Sequence, residues 1–394
     1  MTCPRCGPEL GTLDYRFDLD TLATRYSRPA ISEGLATWLP LLPIAGASSL
    51  PPLPLGPTPL IKASRLARHL GLKDFWLKLD SFLPSLSLKD RASALALAQS
   101  AEWGSTTIIA ASTGNAASSL ATLAAATGQR AVLVVPEDAP RAKLAQIALH
   151  GGVLVPIRGT YDQAFDLSTR VAALQSWYVR STAVNPVLAE GKKTVAMETA
   201  LQLEWRVGDV WYVGVGDGCI LGSLWKGLSE LLALGWIDTM PALIGVQASG
   251  AAPLAHAWES GRPVEPWPLT DTCADSIAVG HPRDWVKALR AARASGGAIR
   301  TVPDERIAQA MRLLADHAGV LAEPAGAASV AGVLTALEQG QVGKSDRVVA
   351  LITGHGLKDQ AALRRMFRAP TPVAATPEAV LAAAEAWRRN GTRE

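Results

Sequence analysis

Lys89 ends the run Pro84-Ser85-Leu86-Ser87-Leu88-Lys89 and is followed by Asp90-Arg91, where an apolar run gives way to a helical stretch. An amine placed there lies near the positive end of a helix, which lowers its pKa and suits it to forming a Schiff base with a carbonyl cofactor. A second apolar run ends in Ser112-Thr113-Gly114-Asn115. The backbone N–H groups of such a turn, with the Ser112 and Thr113 hydroxyls, can bind a carboxylate, and the Asn115 amide can hold a phenolic oxygen. The third segment, Val213-Gly214-Val215-Gly216-Asp217-Gly218-Cys219, is a strand followed by a glycine-rich turn and a helix. Glycines there let the backbone N–H groups and the helix N-terminus close on a phosphate. No Gly-Lys-Ser/Thr follows, and the glycine spacing differs from the dinucleotide fingerprint. The Asp217 carboxylate has to point away from any phosphate bound in this turn. Taken singly, the segments read as a surface cation, an N-cap and a tight turn.

The elements that must position these groups alternate short β-branched runs with longer Ala/Leu-rich stretches. That pattern belongs to an α/β fold with parallel sheets covered on both faces. Strands are expected at Phe75–Leu79, Thr107–Ala111, Ala131–Val135, Val153–Ile157, Val210–Val215, Leu243–Gln247 and Val348–Thr353. Helices are expected at Arg91–Gln99, Ala116–Ala126, Ala139–His150, Tyr161–Gln175, Gly191–Glu204 and Cys219–Leu234. All three chemical segments then fall where strands yield to helices, the ligand-binding edge of an open parallel sheet. Residues 40–59 carry seven prolines and are expected to be extended without regular structure. After Arg368 the run Ala369-Pro370-Thr371-Pro372 reads as a linker to an Ala-rich helix, Pro377–Arg389, with Thr376 as its N-cap.

With 394 residues, 48% of them hydrophobic, the chain can bury two or three domain cores. A formal charge of +3 without a Lys/Arg block argues against nucleic-acid or membrane partners and for a small-molecule substrate. No apolar run reaches the roughly 18 residues of a transmembrane helix, and the start lacks signal-peptide character, so a cytoplasmic location is expected. Four cysteines are too few for a disulfide scaffold. Cys3 and Cys6 have a zinc-ribbon spacing, but Cys219 and Cys273 offer no second short pair, so no metal site is expected.

Lysine turn, asparagine turn and glycine loop stand in the order found in fold-type II pyridoxal-phosphate enzymes, and the chain resembles the threonine synthase family in particular. That family's Pro-Thr-Gly-Ser-Phe-Lys-Asp-Arg-Gly is similar to Pro84, Ser87, Lys89, Asp90 and Arg91 here, and its Ser-Thr-Gly-Asn is present unaltered as Ser112 to Asn115. Thr353-Gly354-His355-Gly356-Leu357-Lys358-Asp359 resembles its C-terminal signature. Weaker echoes are Gly56-Pro57-Thr58-Pro59-Leu60, Gly191-Lys192-Lys193-Thr194, Gly280-His281-Pro282-Arg283 and Glu323-Pro324-Ala325.

The resemblance implies pyridoxal 5'-phosphate as cofactor, held by Lys89 as a Schiff base, by Gly216, Asp217, Gly218 and Cys219 at its phosphate, by Asn115 at its ring oxygen and by Thr353 at its ring nitrogen. Ser112, Thr113, Asn115 and Asn185 would meet the substrate. It further implies two three-layer αβα domains with mostly parallel sheets and the active site in the cleft between them. Residues 1–49 would be an N-terminal extension, 50–91 and 199–368 the large cofactor-binding domain, 92–198 a small inserted αβ domain, and 369–394 the C-terminal linker and helix. A homodimer is the usual assembly. The implied reaction turns O-phospho-L-homoserine and water into threonine and phosphate. Serine/threonine dehydration, β-replacement, or a catalytically weak cofactor-binding role are the alternatives.

Two departures bear on the substrate. The family's Gly-Ser-Phe before the lysine is Leu86-Ser87-Leu88 here, and the arginine of its Asn-Pro-x-Arg is Leu188. Losing a guanidinium matters for a phosphorylated substrate, because arginine supplies bidentate, permanently charged bonds. The nearest replacement cations in sequence are Lys192, Lys193 and Arg158.

Overall fold

The computed structural model describes residues 2–139, 141–367 and 369–391. The chain divides into two compact units, Met1–Asp359 and Gln360–Glu394. The first unit holds two sheets. The larger has the order β1-β2-β10-β7-β8-β9, from Leu60–Lys62 (β1), Asp74–Leu79 (β2), Val210–Gly214 (β7), Ala242–Ala248 (β8), Ala298–Val302 (β9) and Arg347–Ile352 (β10). The smaller has the order β5-β4-β3-β6, from Thr107–Ala111 (β3), Arg130–Pro136 (β4), Val153–Ile157 (β5) and Tyr178–Val179 (β6). All pairings are parallel except that of β1 with β2. The fold is thus α/β with mostly parallel sheets, and the strands of the smaller sheet all lie between residues 107 and 179.

Central strands read as continuous apolar runs because both faces are covered. All residues of β3 and β7 are buried. The helix Lys89–Glu102 is buried from Asp90 to Ser100 and packs against the helix Val187–Gln202, itself buried from Val187 to Ala200. Their backbones touch at Gly191, where a Cβ would come within 2.1 Å of the Arg91 carbonyl oxygen.

Beneath this contact lies a buried charge network that no sequence pattern announces. Arg91 donates through Nε to Asp80 at 2.8 Å and through Nη2 to Glu198 at 2.8 Å, while Lys78 also pairs with Glu198. Thr58 donates to Asp80 at 2.7 Å. Burial alone would raise the Glu198 pKa, but the Arg91 and Lys78 charges outweigh it and hold this carboxylate at about 2. Breaking such a set by removing one member leaves a buried charge uncompensated, at a cost of about 3–5 kcal/mol.

The proline-rich segment differs from expectation. Short 3-10 turns form at Gly34–Leu41 and Ala47–Ser49, and Pro51, Leu55 and Thr58 are buried, because the segment packs on the core. The helix expected from Ala139 begins at Arg141, and Pro140 lies outside the described residues, as does Arg368, the expected end of the large domain. In the second unit the helix runs Pro377–Gly391, and the Ala379 N–H donates to Thr376 Oγ1 at 3.3 Å, an N-cap bond. Among the described residues no helix is long and apolar enough to cross a membrane.

Candidate active site

Lys89 is the first residue of its helix, and the turn before it is bound to the turn after β10. The Leu88 N–H donates to the Thr353 carbonyl at 2.9 Å, the His355 N–H donates to the Leu86 carbonyl at 3.1 Å, and Ser87 bridges Gly354. This pairing sets Lys89 beside Thr353. Leu86 takes φ 63, the left-handed region, at the very position where the resembling family carries glycine. Lys358 extends the tie: its Nζ donates to the Ser85 carbonyl at 3.0 Å, to Ser118 Oγ at 2.7 Å and to Gln146 Oε1 at 2.8 Å. The C-terminal signature therefore holds the lysine turn against helices that cover the smaller sheet.

The glycine loop lies at the N-terminus of the helix Cys219–Ala233, whose first N–H groups have no partner inside the helix. Gly218 has φ +96, and a Cβ there would fall 2.7 Å from Ala288 Cβ and 2.9 Å from the Asp284 carbonyl oxygen. A Cβ on Gly216 would lie 2.9 Å from Val279. Asp217 Oδ1 accepts from the Arg283 N–H at 3.2 Å, so its carboxylate is directed at the neighbouring loop. That arrangement meets the electrostatic condition a phosphate would set.

Lys89, Asn115, Gly216, Asp217, Gly218, Cys219 and Thr353 all line one cleft of about 550 Å³, together with Thr182, Ser276 and Glu323. The Asn115 Nδ2 donates to Glu323 Oε1 and Oε2 at 3.0 and 2.9 Å and to Ser276 Oγ at 3.3 Å. Burial raises the Glu323 pKa, and the Asn115 bonds oppose that shift.

Ser112, Thr113 and Asn185 are not brought to this cleft's wall. Ser112 Oγ accepts from the Gly114 N–H at 3.2 Å within its own turn. Asn185 is buried and committed: Nδ2 donates to the Val179 carbonyl at 2.9 Å and Oδ1 accepts from the N–H of Val187, the first residue of the helix Val187–Gln202, at 3.1 Å. It lines a smaller cavity of about 240 Å³ with Leu188, Lys192, Cys219 and Asp284. Thr182 and Ser276 carried no sequence signal. Glu323 carried a faint one, an acid directly before Pro324 at a helix start.

An amine, an N–H cradle closed to any Cβ, a buried hydroxyl and an amide thus share one cleft. This set fits a planar carbonyl compound bearing a phosphate, such as pyridoxal phosphate: Lys89 for the carbonyl, the loop Gly216–Cys219 for the phosphate, Thr353 and Asn115 for the ring. Among the described residues no group of three or more His, Cys, Asp or Glu side chains is arranged to hold a metal ion.

Residues 52–354 match the family model described as "Pyridoxal-phosphate dependent enzyme". The chain is 34% identical over 377 residues to the threonine synthase of Methanocaldococcus jannaschii, covering 94% of this chain and 92% of that one. It is 36% identical over 327 residues to the threonine synthase of Mycobacterium tuberculosis, covering 83% and 88%. The fold is similar to the processed threonine deaminase isoform 2 of Solanum lycopersicum, with a TM-score of 0.68 at 23% identity, covering 78% of this chain and 81% of that one. Maize serine racemase superposes with a TM-score of 0.66 at 21% identity, covering 78% and 91%.

Proposed function

Because the chain belongs to the pyridoxal-phosphate-dependent enzyme family, we propose that it is a carbon–oxygen lyase of the threonine synthase kind, converting O-phospho-L-homoserine and water to L-threonine and phosphate. The observation that carries this reading is the near end-to-end similarity to threonine synthases, joined to a cleft that gathers Lys89, the glycine cradle and Thr353.

Bound pyridoxal phosphate supplies an electron sink that stabilises negative charge at the substrate's α-carbon. In the proposed division of labour Lys89 Nζ holds the cofactor covalently, then serves as the base that removes the α-proton. The N–H groups of Gly216, Asp217, Gly218 and Cys219 bind the cofactor phosphate at the helix N-terminus. The Thr353 hydroxyl bonds the ring nitrogen without enforcing its protonation, as an aspartate would. Asn115, oriented by Glu323, meets the ring oxygen, and the turn Ser112-Thr113 that precedes it receives the substrate carboxylate. Residues 92–198, which contain the whole smaller sheet, form the small domain of the reading, and 50–91 with 199–368 the large one. A cytoplasmic homodimer acting on a small amino-acid substrate completes the reading.

The test is incubation of the purified holoenzyme with phosphohomoserine, with threonine and inorganic phosphate measured together. Equal release of both supports the reading. Keto acid and ammonia from serine or threonine, with no phosphate released from phosphohomoserine, would replace it by a dehydratase.

A further inference from the structure

Two buried cations, Arg180 and Lys192, form no salt bridge with any described residue. Arg180 directly follows β6 and is 4% exposed. Its Nε donates to Ser93 Oγ at 3.2 Å, and its Nη2 has no partner among the described residues. The ionisable groups that act on it are Cys219, Tyr161 and Asp90. Asp90 acts on Arg180 only through space, its carboxyl being bonded directly by the Ser85 N–H at 2.6 Å and by the Ser85 hydroxyl.

Lys192 is 2% exposed, one helical turn beyond Leu188, and forms no ion pair or hydrogen bond with any described residue. It lines the smaller cavity with Cys219, a residue that also lines the cleft, so the two spaces share a wall. Burial pushes the Lys192 pKa down to about 8, with the positive charges of Lys89 and Arg180 pressing in the same direction and Cys219 and Asp284 opposing it. Asp284 in that cavity has one oxygen without a partner among the described residues, and burial raises its pKa against the opposing charges of Lys287 and Lys192.

The other nearby cations are spoken for. Lys193 is paired with Glu190 and Glu230, each at 2.6 Å. Lys287 is held by the Leu13 carbonyl at 2.6 Å and Asp14 at 2.7 Å. Arg158 is 93% exposed, facing Glu137 at 3.9 Å. Leu188 itself is 1% exposed.

A fold does not keep two unpaired cations buried without a cost, and an anion delivered by a ligand removes that cost. The geometry points to Arg180 and Lys192 as the pair that binds the phosphate of the substrate, standing in for an arginine at position 188. This rests on the phosphohomoserine reading. The cofactor's phosphate has its own backbone cradle.

The test titrates holoenzyme with 2-amino-5-phosphonopentanoate, which has a methylene where the leaving oxygen would be, and with uncharged norleucine, following the cofactor absorbance. In Arg180→Gln and in Lys192→Met the phosphonate should bind roughly ten- to a hundredfold more weakly, as for one lost charge-assisted contact. Norleucine affinity and cofactor content should change less than about threefold, and Lys192→Arg should keep the phosphonate preference. A phosphonate-to-norleucine ratio unchanged in both variants overturns the assignment. Loss of cofactor with that ratio unchanged also overturns it, by giving the cations to the cofactor phosphate. Should Arg180→Gln not fold, Lys192→Met carries the decision, since it removes a buried charge. A wild-type holoenzyme that makes no threonine yet shows the charge-dependent preference would defeat the proposed reaction and leave the anion site standing. Threonine formation with no preference lost would do the reverse.

Discussion

The Asn115 amide donates to both carboxylate oxygens of Glu323, at 3.0 and 2.9 Å, joining the turn after β3 to the start of the helix Pro324–Glu338. The two residues stand 208 positions apart and line the same cleft. Asn115→Ala strips a buried acid of its donors and should cost about 1–3 kcal/mol. The folded pKa of Glu323 is raised, so the acid is least costly to the fold when protonated. The stability this contributes is present at low pH and is lost as pH rises through the folded value. The Asn115→Ala penalty should therefore be larger at neutral pH than in acid, as read by urea unfolding at both. Equal penalties would mean that Glu323 is neutral throughout.

Glu198→Gln probes the buried network under Lys89. The Glu198 pKa is about 2, against an ordinary value of 4.5, so its ionised form stabilises the fold by about 3 kcal/mol at neutral pH. That contribution is present above 4.5 and is lost as pH falls toward 2. The Gln variant should be less stable by about that amount at pH 7, with the gap narrowing in acid. A constant gap would assign the loss to packing.

At Leu86 the usual order of helix- and strand-forming residues should invert. A left-handed φ costs a side-chain-bearing residue about 1–2 kcal/mol, which glycine does not incur. Leu86→Gly should accordingly be more stable than Leu86→Ala by about 1 kcal/mol in thermal or denaturant unfolding. An alanine variant more stable than the glycine one would show that the turn relaxes when the leucine is removed.

The asparagine turn and glycine loop were legible because each ends a β-branched run, and the lysine turn because it opens a helix. Such runs marked Thr107–Ala111 and Val153–Ile157 at their observed boundaries. β6 was not legible, because two residues carry no periodicity. Nor was the network of Thr58, Lys78, Asp80, Arg91 and Glu198, since its members share no spacing and meet only through the pairing of two helices with β2 and its following turn. Asn185 stands in a motif that reads as substrate-binding, yet its side chain bonds the Val179 carbonyl and the Val187 N–H. Arg180 illustrates the converse. In sequence it is one basic residue among 38, and only its burial without a partner sets it apart.

Lys192→Met should stabilise the protein. A lysine whose pKa is lowered from 10.5 to about 8 costs the fold about 3 kcal/mol wherever it is charged in both states. The stability of the neutral form is present above 10.5 and is lost as pH falls through about 8. The Met variant should thus gain a few degrees in Tm below pH 8, an advantage that fades between 8 and 10.5. A variant that melts no higher than wild type at pH 7 would show that Lys192 is already paired.

The site as a whole depends on which lysine holds the cofactor, and Lys192 is a rival with a lowered pKa beside Lys89. Borohydride reduction of the holoenzyme, proteolysis and mass spectrometry decide between them. A single pyridoxyl-phosphate adduct is expected on the peptide containing Lys89, absent from Lys89→Ala. An adduct on Lys192 or on any other lysine would contradict this assignment and would undo the roles assigned to Asn115, Thr353 and the glycine loop.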